Sequence, residues 1–144
     1  ILDYNINFTM ESLFKKISEV MARKLDADSG YIHSQLIERE KVSSTALTPD
    51  FAVPHMILKG ENKFAIVVVR CRKGVKMSID ATNVHIFFFL AGTMDKRKLH
   101  LLSLAAIAQT VNNPGFVDNW LKAKDTRELR RLIVNAKRIR RKDS

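Results

Sequence analysis

At 144 residues the chain has the length of one ordinary domain, and such a domain buries about 70% of the surface its unfolded form exposes, so it needs no disulfide or metal staple. An apolar fraction of 46% with 28% charged residues excludes extended disorder, and a single cysteine, Cys71, excludes an intrachain disulfide framework. The net charge of +10 is uneven: ten of the 25 Lys/Arg but three of the 15 Asp/Glu fall in residues 122–144, so the rest of the chain is nearly balanced.

Thr9 is placed to cap a first helix, in which Leu13, Ile17, Val20 and Met21 share one face. Asp28 and Ser29 are caps for a second helix running to about Arg39, with Ile32 and Leu36 inward. Thr48-Pro49-Asp50 signals a turn, and Phe51-Ala52-Val53 reads as a short strand. Pro54 has no N–H for a ladder, so the chain is expected to leave the sheet there. Gly60 with Asn62 marks a turn before a buried strand over residues 64–69, and Gly74 marks another turn. Residues 84–90 form a second buried strand, too short to span a membrane. Thr93 or Asp95 is expected to start a third helix, in which His100, Leu104, Ile107, Ala108 and Val111 lie on one side. Asn112-Asn113-Pro114-Gly115 breaks it, a short helix near residues 116–122 holds Trp120, and a last helix spans about 126–137. Interleaved helices and buried strands argue for an α/β sandwich, a mixed sheet flanked by helices on both faces. The basic tail, residues 137–144, is open to two readings: a weak contact with an anionic membrane surface, or a solvated helix end whose cations suit the C-terminal dipole. Its positive charge lacks interleaved aromatics, which argues against a nucleic-acid partner.

Most chemistry-bearing motifs are absent. There is no glycine-rich phosphate loop, no Gly-x-Ser-x-Gly turn and no Cys/His spacing of a zinc site, so neither a cofactor nor a metal is expected. Cys71 reads as a packing residue, and His33 and His85 as structural or surface histidines. His55 differs, because it follows an apolar strand and a residue of fixed φ, where a rigid element gives way to a loop.

The run Glu38-Arg39-Glu40-Lys41-Val42-Ser43-Ser44-Thr45, followed by Phe51-Ala52-Val53-Pro54-His55, resembles the active-site segment of the phosphotransferase-system enzyme IIA domains of the fructose/mannitol type. The stretch His100-Leu101-Leu102-Ser103-Leu104-Ala105-Ala106-Ile107 is similar to the helix that opens on that family's second histidine. The resemblance covers nearly the whole chain and implies a mannitol IIA-like α/β sandwich. It implies that His55 is the phosphoryl acceptor, that His100 orients the phosphate and that Arg39 stabilises charge. The pattern departs from the family at Thr48 and Met56, where glycine or another small residue is usual, and a side chain at 56 is expected to crowd the phosphate. Imidazole suits the task, being nucleophilic and mostly unprotonated at neutral pH, and a planar guanidinium matches phosphoryl oxygens. Two roles are implied. One is a phosphocarrier between the phosphocarrier HPr and a IIB domain in sugar transport, formally a phosphotransferase. The other is a regulatory IIA-like domain of a membrane transporter, an amino-acid permease or cation/proton antiporter, controlled by phosphorylation of His55. Either role implies a cytoplasmic location, in the second case at the inner face of the membrane. With no initiator methionine, residues 1–144 are expected to be one domain of a longer protein.

Overall fold

The computed structural model describes residues 1–136; the basic tail, and with it Lys137 at the expected end of the last helix, lies outside the described residues. In chain order the elements are β1 (Leu2–Tyr4), α1 (Met10–Leu25), α2 (Ser29–Val42), β2 (Phe51–Ala52), β3 (His55–Leu58), β4 (Phe64–Val75), β5 (Val84–Thr93), a 3-10 turn (Met94–Lys96), α3 (Arg97–Val111), α4 (Phe116–Lys122) and α5 (Thr126–Asn135).

The five strands form one mixed sheet in the order β1-β4-β5-β2, with β3 also on β5. β4 and β5 run antiparallel, whereas β1 lies parallel to β4, and β2 and β3 parallel to β5. Successive side chains of β5 point to opposite faces, and both faces are covered. Phe87, Phe89 and Ala91 pack with Leu13, Phe14, Ile17, Met21, Ile32 and Leu36 of α1 and α2. Ile86, Phe88 and Leu90 pack with Ile107, Val111, Phe116, Trp120 and Leu129 of α3, α4 and α5. The expected sandwich is therefore the observed one.

The helix starts follow the expected caps. Thr9 accepts from the Ser12 amide while Ser12 Oγ accepts from the Thr9 amide, and Asp28 accepts from the Tyr31 amide at 2.8 Å. Several boundaries differ. α2 continues to Val42, three residues beyond Arg39. Pro54 does not take the chain out of the sheet: the register on β5 is the same before and after it, Ala52 facing Phe87 and His55 facing Leu90, and the Pro54 carbonyl accepts from the Leu90 amide at 3.0 Å. Proline removes one donor and leaves its acceptor in place. Gly74 is no turn but an irregular point within β4, at φ +75°, where the register on β5 shifts between Arg70 and Val75. Thr93 and Asp95 do not cap α3. The Thr93 hydroxyl exchanges hydrogen bonds with the Lys63 backbone, and Asp95 accepts from the Asn62 amide, so both fasten the turn before β4.

One polar cluster ties the sheet edge to the helical layer behind it. Arg70, only 1% exposed, donates through Nε and Nη2 to the Asp3 carboxylate, at 2.9 and 2.7 Å, and through Nη1 to the Trp120 and Ala123 carbonyls, at 2.9 and 2.6 Å. Arg72 shares the same carboxylate. Among the described residues no helix is long and apolar enough to cross a membrane.

Candidate functional site

His55 is the first residue of β3 and is half-buried. Its ring is oriented by the residue two places earlier: Nδ1 lies 2.7 Å from the Val53 carbonyl. A carbonyl only accepts, so Nδ1 carries a proton, and in the neutral ring the lone pair is on Nε2. The carbonyl is itself held in place. The Val53 amide donates to the Thr45 carbonyl at 2.9 Å, and Thr45 donates through its amide and hydroxyl to the Glu40 carboxylate, at 2.8 and 2.6 Å. The end of α2, the loop after it and the start of β3 thus form one hydrogen-bonded support for the imidazole.

The structure brings His100 against His55. Their ring centroids are 5.6 Å apart and the planes meet edge to face at 70°. His100 sits in the first turn of α3, 4% exposed, and Phe64 packs on it with centroids 6.3 Å apart. The absence of a side chain at Gly92 makes room for that phenyl ring, since a Cβ there would lie 2.7 Å from Phe64 Cδ1. Burial, then the nearby His55 and Arg97, push the His100 imidazole below its ordinary pKa, so the ring is neutral at neutral pH. His100 Nδ1 is enclosed and has no hydrogen-bond partner.

Both rings open on a shallow cleft of about 500 Å³ between α2, β3 and α3, lined also by Arg39, Val42, Ile57, Arg97 and Leu101. Arg39 stands on its wall with Nη1 donating to the Ser43 carbonyl and hydroxyl, at 3.0 and 3.3 Å, which ties it to the end of its own helix. Met56 is buried and its side chain packs in the core between the sheet and α1/α2, while the residue also lines the cleft beside His55. Arg97 carries no role in the sequence reading, and neither do Glu40, Thr45 and the Val53 carbonyl. The signal for Arg97 was its position three residues before His100, which places both on one helix face once the helix phase is known.

The other histidines and the cysteine lie elsewhere. His85 Nδ1 donates to the Cys71 carbonyl at 2.8 Å, and the His85 carbonyl accepts from the Trp120 indole. Cys71 is fully buried, and burial pushes its thiol up to about 12, leaving it a packing residue. His33 is half-buried on α2. Among the described residues no group of three His, Cys, Asp or Glu side chains is arranged to hold a metal ion.

A cleft with two imidazoles in edge contact and two guanidinium groups suits a dianion and a nitrogen nucleophile. Comparison with known proteins agrees on the family. The family model described as phosphoenolpyruvate-dependent sugar phosphotransferase system, EIIA 2, matches residues 3–136. A nitrogen regulatory protein of Klebsiella oxytoca is 28% identical over 122 residues, 83% of this chain and 75% of that one. The crystal structure of nitrogen regulatory protein IIA-Ntr from Neisseria meningitidis superposes with a TM-score of 0.82 at 22% identity, covering 92% of this chain and 90% of that one. The enzyme IIA of mannitol type from Escherichia coli, solved in complex with phosphorylated enzyme IIB, gives a TM-score of 0.75 at 14% identity over 92% and 93% of the two chains.

Proposed function

The chain belongs to the phosphoenolpyruvate-dependent sugar phosphotransferase system EIIA 2 family, and from that premise we propose that it is a histidine phosphocarrier: His55 accepts a phosphoryl group from phospho-HPr and passes it to a IIB domain. The observation that carries this reading is the hydrogen bond of His55 Nδ1 to the Val53 carbonyl, which leaves Nε2 free beside His100.

The step balances without an added base. The Nε2 lone pair attacks phosphorus, the phosphorus–nitrogen bond of the donor phosphohistidine breaks, and the donor imidazole, protonated on its other nitrogen, departs neutral. His55 becomes a phosphoimidazolium whose positive charge rests on Nδ1–H against the Val53 carbonyl. Neutral His100 and the guanidinium of Arg39 face the phosphoryl oxygens, where charge builds during an in-line transfer. In the onward step a nucleophile of the IIB domain bonds to phosphorus, the Nε2–phosphorus bond breaks, and His55 returns as the neutral ring with its proton still on Nδ1. The IIB partner is supported by the complex in which the mannitol-type relative was solved.

A second reading, a regulatory domain controlled by phosphorylation of His55, is favoured by the names of the Klebsiella and Neisseria relatives, both nitrogen regulatory proteins. In that reading the phosphoryl group adds nearly two negative charges to the cleft and changes a contact with an attached or separate transporter at the cytoplasmic face. One assay separates the readings. The domain is incubated with labelled phosphoenolpyruvate, enzyme I and HPr, then chased with IIB domains. Label that enters His55 and leaves with IIB supports the relay. Label that stays and alters binding to a transporter supports regulation. Equal labelling of wild type and His55→Ala would refute both.

A further inference from the structure

We infer that Arg97, rather than Arg39 alone, is the cation that grips the dianion in the His55–His100 cleft; this rests on the phosphoryl-transfer reading above. Three observations converge on it. Arg97 opens α3, one turn before His100, and lines the cleft with both imidazoles. It makes no hydrogen bond or ion pair among the described residues, whereas Arg39 spends Nη1 on Ser43, and Arg70 and Arg72 share Asp3. The start of α3 adds to the positive field, because its first turn carries no acidic residue and Lys96 before it supplies no capping oxygen.

A free guanidinium at a helix N-terminus is unfavourable on its own, since like partial charges meet there. It stands beside a buried histidine whose Nδ1 has no partner, in a cleft whose one carboxylate, that of Glu38, is paired with Lys41. A phosphate dianion supplies what each lacks. It offers oxygens to the planar fork of Arg97, cancels the excess charge of the helix start, and gives the imidazoles a group to face. The ligand class is therefore a tetrahedral dianion, of which the phosphoryl group on His55 is the covalent case.

The test uses inorganic phosphate on the unphosphorylated protein at constant ionic strength, followed by the imidazole NMR signals. In wild type, the signals of His55 and His100 move together and saturate. Arg97 is exposed, so Arg97→Gln leaves packing intact. It is expected to weaken binding by about tenfold or more, Arg97→Lys by less, and Arg130→Gln, on the exposed face of α5, not at all. Phosphate binding unchanged by Arg97→Gln, or no saturable binding in wild type, overturns the inference. Arg97-dependent phosphate binding in a protein that takes no phosphoryl group from phospho-HPr sustains the inference and sinks the relay reading.

Discussion

Replacing Asp3 by alanine tests the packing account where it is most quantitative. The Asp3 carboxylate takes both remaining forks of Arg70, a side chain only 1% exposed, and its removal strands a buried charge with two of its N–H groups unpaired. The Trp120 and Ala123 carbonyls still hold Nη1, but neither carries a formal charge. Breaking a buried pair in this way costs about 3–5 kcal/mol, against at most about 1 kcal/mol for the half-exposed contact of Arg72. In a domain of this size that lowers Tm by about 10 °C. Urea unfolding followed by circular dichroism at pH 7 measures it, and adding Arg70→Met to the Asp3→Ala variant should recover much of the loss, since no buried charge remains. Burial alone would raise the Asp3 pKa, but the hydrogen bonds and charges of Arg70 and Arg72 prevail and hold it well below the carboxylate range. A depressed carboxylate stabilises the fold above its unfolded pKa, so the gap between wild type and variant narrows as pH falls below about 3.8 and closes in stronger acid. A loss under about 1 kcal/mol at pH 7, or no recovery in the double variant, would refute the reasoning.

Other consequences concern the site. Thr45→Val removes the hydroxyl that donates to Glu40 at 2.6 Å, and is expected to cost about 1 kcal/mol and to slow phosphoryl transfer by loosening the Val53 carbonyl; thermal melts and transfer rates check both. Gly92→Ala forces the Phe64 ring to shift, and because that ring packs on His100 it should move the His100 NMR signal and lower transfer while leaving the helices intact by circular dichroism. The folded His100 imidazole has a pKa below its ordinary 6.5, so the unfolded chain takes up that proton first and the fold loses stability as pH drops below about 6.5. His100→Gln should flatten that decline, as read from urea midpoints at pH 7 and 5; an unchanged slope would count against it.

The long elements were legible because each carries a period and a boundary signal: Leu13, Ile17 and Met21 behind Thr9 for α1, and the apolar runs of β4 and β5. The family was legible in the order and spacing of Arg39, Ala52-Val53-Pro54-His55 and the His100 helix. Of the short strands only β2, within the expected Phe51-Ala52-Val53, was legible. β1 has three residues and β3 four, too few for a periodicity, and Pro54 reads as an exit from the sheet unless its carbonyl is seen to pair. The Asp3–Arg70 link joins residues 67 positions apart, which nothing local announces. Arg97 escaped for a related reason. It lies in the run Lys96-Arg97-Lys98, whose cations nothing local tells apart, and only the folded α3 sets it on the cleft wall with His100.

The central claim is that His55 offers Nε2 as the nucleophile while Nδ1 stays protonated against the Val53 carbonyl. Phosphorylation of nitrogen-15 histidine-labelled protein by phosphoenolpyruvate, enzyme I and HPr, read by phosphorus–nitrogen couplings in NMR, reports the bonded atom directly. The account predicts one phosphorus bonded to Nε2 of His55 and lost in His55→Ala; phosphorus on Nδ1, or on another histidine, would contradict it.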